Sequence, residues 1–170
     1  MKLSARSEYG LLALIDLATA FGARPVPTRE LAANRAIPPA FLEQLLADLR
    51  RAGLVTAVRG ARGGFVLARD PRTISALDIV QALEGPVAPS VCSGEACTRG
   101  SGCAAADVWA EVSGAVRDAL ASFTLDVLAQ DQRRLDGLHR DPELVGAIPS
   151  GTATSQPGRA PSPPTQGRTP

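Results

Sequence analysis

TRELAANRAIPPAFLEQLLADLRRAGLVTAVRGARGGFVL, residues 28–67, holds two short helical patterns followed by two β-prone runs. Thr28 is suited to cap a short helix, with Glu30 favoured in its first turn by the helix dipole. Proline is tolerated in a first helical turn and not deeper, so Pro38 and Pro39 predict a new helix starting near Pro39. Phe41, Leu42, Leu45, Leu46 and Leu49 form its apolar stripe, and Gly53 ends it. Leu54–Val58 and Phe65–Ala68 are then joined by the Gly-rich turn Arg59–Gly64, which predicts a hairpin. Two short helices plus a hairpin predict a winged helix-turn-helix. The second helix would lie in a DNA major groove and the wing would reach the adjacent minor groove.

Residue chemistry within this frame selects the DNA-facing set. Arg59 and Arg62 sit among small residues that pack poorly, and an arginine on a narrow tip is a good probe of a narrow groove. The Gln44 amide can pair bidentately with adenine, and Ala40 and Glu43 lie on or near the same face. With Thr28 and Pro39 at the helix starts, the expected set is Thr28, Pro39, Ala40, Glu43, Gln44, Arg59 and Arg62. Charge follows the same division. Residues 1–70 carry ten Lys/Arg against six Asp/Glu, whereas residues 107–136 carry three Arg against six acids. The first region could face phosphate and the second would not.

Upstream, Leu11, Leu14, Ile15, Ala18 and Phe21 recur at helical spacing. Glu8 and Asp16 interrupt the apolar run, so it predicts a core helix and not a targeting segment. Downstream, Ser75-Ala76-Leu77-Asp78 predicts a capping box opening a helix over Leu77–Leu83, stopped by Gly85-Pro86. From Asp107 onward Trp109, Val112, Val116, Leu120, Phe123, Val127 and Leu128 predict one long helix whose stripe can pack on a partner chain. The Pro/Ser/Thr/Gly-rich tail from Pro149 to Pro170 is expected to be disordered.

The only cysteines, Cys92, Cys97 and Cys103, fall in one C-x4-C-x5-C stretch. A Gly- and Ser-rich loop can bend three sulfurs toward one point, as a soft metal or an iron–sulfur cluster requires. An odd, clustered set argues against a secreted disulfide framework and for a cytoplasmic metal or redox role. No apolar stretch is long enough to span a membrane, and no enzyme constellation is present: there is no Ser/His/Asp set and no phosphate-cradling loop.

Phe41–Val55 and Val58–Leu67, with the openings Met1-Lys2-Leu3-Ser4 and Tyr9-Gly10-Leu11, resemble the IscR/NsrR/RirA family, also called Rrf-two. The resemblance spans about residues 1–135. It implies a dimeric bacterial regulator, expected to be a repressor, in which a long C-terminal helix forms much of the dimer interface. It also implies a cluster loop of three cysteines just before that helix. Members resembling IscR place a His ligand three residues after the last cysteine, where this chain has Ala106. Other members take an acidic ligand from the partner's N-terminal helix, at the position of Glu8 here; Asp107 is the local competitor. His139, the only histidine, is expected at the surface near the end of the long helix. The first inter-cysteine gap is four residues, one shorter than the family's usual five.

The expected architecture is therefore mainly α with a small β-hairpin wing. It comprises a DNA-binding domain (1–85), a cysteine loop (86–106), a dimerisation helix (107–138) and a largely disordered tail (139–170). The expected function is operator binding, as a homodimer on a pseudo-palindrome, controlled by a 2Fe–2S or 4Fe–4S cluster that senses nitric oxide, redox state or iron. No membrane and no small-molecule substrate is expected. One alternative is a cluster-free regulator using the cysteines as a thiol switch or zinc site. Another is a small iron–sulfur redox protein that binds only protein partners.

Overall fold

A computed structural model describes residues 4–87 and 104–140. In order it contains α1 (Ala5–Thr19), α2 (Thr28–Asn34), α3 (Pro39–Arg51), β1 (Val55–Val58), β2 (Gly64–Leu67), a short 3-10 turn (Pro71–Thr73), α4 (Ala76–Glu84), α5 (Ala104–Ser122) and α6 (Leu125–Arg140). The mainly helical architecture with a two-stranded antiparallel wing is the one expected from the sequence.

Helix α1 is the central element, capped by Ser4 Oγ, which accepts from the Arg6 amide at 3.1 Å. Ala13, Leu14, Leu17 and Ala18 are buried against Leu31, Leu42, Leu45, Leu46 and Leu49 in one apolar core. Phe21 departs from the predicted stripe: it lies beyond the end of α1 and is 47% exposed. Gly10 permits close packing of α1 on α4, since a Cβ there would fall 2.3 Å from Leu83 Cδ1. At the other end of α1, Arg35 Nε and Nη2 donate to Asp16 Oδ1 at 3.0 and 2.5 Å, tying the end of α2 to α1.

Helix α4 opens with the expected capping box. The Asp78 amide donates to Ser75 Oγ at 3.2 Å, and the Ser75 amide donates to Asp78 Oδ2 at 2.8 Å. Helix α4 closes at Glu84, whose carboxylate accepts from the hydroxyls of Ser4 and Ser7 at the start of α1. The Ser4 hydroxyl holds the Glu84 carboxyl below its ordinary range, partial burial opposes this, and Ser7 adds to the lowering. A carboxyl depressed in the folded state contributes stability above its unfolded pKa, and the contribution is lost as pH falls through the lower folded value. Glu84→Gln is thus expected to be less stable than wild type at pH 7. The gap should narrow as pH falls below the ordinary Glu range and close only below the lower folded value, in urea midpoints measured against pH.

The predicted single helix over 107–138 is instead two helices. The chain breaks at Phe123–Thr124, where the Ala76 amide donates to Phe123 O at 2.8 Å and the Leu125 amide donates to Ile74 O at 2.9 Å. These two bonds form a bridge between Ser75 and Thr124 that takes the place of helical pairing. The break lets Leu125, absent from the predicted stripe, reach 0% exposure in the core. Arg133 Nη2 of α6 then donates to Ala18 O and Thr19 O at 3.2 Å each, seating α6 on the end of α1. Cationic side chains are favourable at such helix C-termini. Among the described residues, no helix is long and apolar enough to cross a membrane.

Candidate nucleic-acid interface

The turn between α2 and α3 sets the interface geometry. Ala36 adopts φ +50°, in the left-handed region, and the Ile37 amide donates back to Ala32 O at 2.9 Å. Pro39 occupies the first turn of α3, where Pro38 O accepts from the amides of Phe41 and Leu42 at 3.0 Å each. Thr28 is a correction. It is the first residue of α2 and not its cap, because Pro27 holds that position and no side chain caps the helix.

Opposite faces of α3 have opposite characters. Leu42, Leu45, Leu46 and Leu49 are each 0% exposed, whereas Pro39, Ala40, Glu43 and Gln44 face solvent. Thr28, Pro39 and Glu43 line one groove of about 540 Å³ between α2 and α3. Arg29, which the sequence reading passed over, lines the same groove and is exposed. The available signal was its position beside Thr28 in the first turn of the predicted helix, and the structure leaves it accessible because Glu30 is engaged elsewhere. Arg24 Nη1 and Nη2 donate to Glu30 at 3.0 and 2.6 Å. The Arg24 hydrogen bonds, more than any other influence, hold the Glu30 carboxyl below its ordinary range.

The wing pairs Val55 with Leu67 through Val58 with Gly64. Arg59 and Arg62 are exposed in its connecting turn, and no ion pair engages either among the described residues. Gly60 sits at φ +115°, and the Gly63 amide donates to Gly60 O at 2.9 Å, so the tip is tightly wound. At its base the wing is bonded to the segment before α2. The Val26 amide donates to Phe65 O, and the Phe65 amide to Val26 O, both at 2.9 Å. The groove, the outer face of α3 and the arginine tip are thus built on one frame.

Cys92, Cys97 and Cys103 lie outside the described residues. Glu8 is exposed near the start of α1, and Asp107 is exposed in the first turn of α5. His139 belongs to α6. Among the described residues, no three His, Cys, Asp or Glu side chains gather closely enough to hold a metal ion. An accessible Glu8 carboxylate is compatible with ligation from a partner chain, and three thiolates with one carboxylate form a chemically suitable donor set for an iron–sulfur cluster.

The sequence model of the Rrf2 family, described as "Iron-dependent Transcriptional regulator", matches residues 3–131. The HTH-type transcriptional regulator CymR of Bacillus subtilis is 39% identical over 130 residues, covering 76% of this chain and 90% of CymR. Its solved structure, described as that of the global cysteine regulator of B. subtilis, superposes with a TM-score of 0.64 at 37% identity, covering 76% of this chain and 97% of that one. The structure of T. potens IscR also gives 0.64, at 38% identity over 77% of this chain and 88% of that one. The HTH-type transcriptional regulator IscR of Xenorhabdus nematophila is 32% identical over 152 residues, covering 89% of this chain and 93% of that protein. With a matching family model across most of its length and relatives this similar over most of theirs, the chain belongs to the Rrf2 family of helix-turn-helix transcriptional regulators.

Proposed function

We propose that the protein is a homodimeric, DNA-binding repressor whose operator affinity is controlled by an iron–sulfur cluster. The observation that carries the DNA-binding part is the common frame of the α2–α3 groove, the exposed face of α3 and the wing arginines. In this reading Gln44, Ala40 and Glu43 meet base edges, while Thr28, Pro39 and Arg29 border the backbone. Arg59 and Arg62 enter the minor groove.

Cys92, Cys97 and Cys103, with Glu8 of the partner subunit, would hold the cluster. The cluster supplies a redox- and ligand-sensitive centre. A carboxylate is a harder, more readily released donor than a thiolate, which suits a sensor. The iron-dependent description of the family supports this reading. Dimer formation is supported by the apolar residues left exposed along α5, α6 and the break between them: Val108, Trp109, Val112, Phe123 and Val127. Val112→Asp is expected to convert the dimer to monomer in sedimentation analysis and to weaken operator binding. The domain fold should persist, because Val112 lies outside the core.

Similarity to a protein described as a global cysteine regulator favours one second reading, a cluster-free thiol switch built on the same winged domain. Anaerobic purification with a visible spectrum and iron and sulfide assays separates the two. Near-equal iron and sulfide, with operator affinity differing between loaded and stripped protein, is the expected result. Colourless protein that cannot be reconstituted, with a thiol count sensitive to oxidant, would select the switch.

A further inference from the structure

The first turn of α1 reaches the flank of α3. Arg6 Nη2 donates to Asp48 Oδ2, and Arg51 Nη2 donates to Asp48 Oδ1. Asp48 stands one turn after Gln44, between the buried row of Leu45 and Leu49 and the exposed face of Ala40 and Gln44. The Asp48 side chain is 21% exposed and that of Arg6 35%. Ion pairs this close to solvent contribute little to stability. Their directional geometry can still orient a helix. The leucine row beneath α3 decides which face is buried, but apolar burial is non-directional and tolerates small rotations about the helix axis. The Asp48 carboxylate, held across the helix boundary by the Arg6 guanidinium of α1, resists them, while Arg51 on α3 itself only steadies that carboxylate. Nearby, the Tyr9 and Phe41 rings meet edge to face at 5.9 Å, joining the same two helices.

We propose that Asp48 and Arg6 are positioning residues for base reading, fixing the rotation of α3 about its axis. Gln44, Ala40 and Glu43 then meet the major groove in one register. This inference rests on the DNA-binding function above. It assigns a purpose to an anionic side chain on a helix that approaches phosphate. A carboxylate there opposes DNA binding electrostatically unless its orienting effect outweighs the repulsion.

That opposition supplies a test with a distinctive sign. The probes are the duplex enriched by the full-length wild-type protein from a randomised pool and a scrambled duplex of equal length. Asp48→Asn removes a negative charge, so affinity for the scrambled duplex should hold or rise. Affinity for the enriched duplex should fall about 10-fold, within the range of losing one good base contact. Arg6→Ala should also reduce the ratio of the two affinities. The double variant should be no worse than the poorer single, because both remove one shared interaction. A purely structural role would lower both affinities together, in proportion to the folded fraction. Urea midpoints measured alongside identify that case. Arg6→Lys keeps the charge but exchanges the planar guanidinium for a shorter ammonium, so it carries the test if Asp48→Asn does not fold. An unchanged affinity ratio, or additive losses in the double variant, overturns the proposal. A wild-type protein that enriches no sequence overturns the DNA-reading function and this inference with it.

Discussion

Gly64→Ala is expected to detach the wing from the domain and abolish tight DNA binding. A Cβ at Gly64 would fall 2.3 Å from Val26 O and 2.5 Å from Val26 C. Both are backbone atoms, so no rotamer change relieves the overlap. The strand must move away from Val26, and the two 2.9 Å bonds between Val26 and Phe65 lie directly in its path. Losing two backbone hydrogen bonds costs about 1–3 kcal/mol together, at roughly 0.5–1.5 each. Overpacking strain is of similar size, about 1–3 kcal/mol. The sum is a large share of the roughly 5–15 kcal/mol that stabilises an ordinary domain. The check is a urea midpoint beside a DNA titration, with Gly137→Ala as control. Gly137 lies within α6, where a Cβ would meet nothing within 4 Å, so alanine there should stabilise by about 0.5–1 kcal/mol. Equal midpoints for Gly64→Ala and wild type would show that the wing is not seated through Val26.

Arg59→Ala combined with Arg62→Ala should leave stability within about 0.5 kcal/mol of wild type, because both side chains are exposed and no ion pair among the described residues engages them. DNA affinity should nevertheless fall about 30-fold or more at moderate salt, taking roughly 1–3 kcal/mol for each specific interaction with a base. If either arginine also neutralises phosphate, the slope of log affinity against log salt should shrink by about one for each phosphate left unneutralised. Retained affinity with an unchanged slope would remove the wing from the DNA interface. The two experiments complement each other, since Gly64→Ala disturbs the frame and the arginine pair disturbs only the tip.

Local signals made the DNA-binding half of the fold legible. Pro39 can occupy little but a first helical turn, the Leu42–Leu49 stripe has one periodicity, and Gly53 takes a φ of +71° that other residues resist. The Ser75–Asp78 capping box was readable for the same reason: both partners lie within one turn. The outward face of α3 and the exposed tip of the wing followed from these elements. The cysteine cluster, in contrast, was visible as spacing alone, and its residues lie outside those described.

What remained hidden depends on residues far apart in the chain. No glycine or proline marks the break at Phe123–Thr124; it forms because Ile74 and Ala76, some fifty residues earlier, capture the backbone of Phe123 and Leu125. Apolar periodicity runs straight across that point, so the pattern predicts one helix where two exist. Thr28 has the chemistry of a cap, but the two bonds between Val26 and Phe65 fix the chain just before α2, and the cap position falls on Pro27. The grips of Arg6 on Asp48 and of Ser4 and Ser7 on Glu84 likewise join segments separated by 42 to 80 residues. Propensity, capping and periodicity act within a turn or two, so the order of residues is enough to specify the helices, the hairpin and the polarity of their faces. The break in the long C-terminal segment and the polar locks between helices are set in the folded core, by hydrogen bonds between elements far apart in the chain.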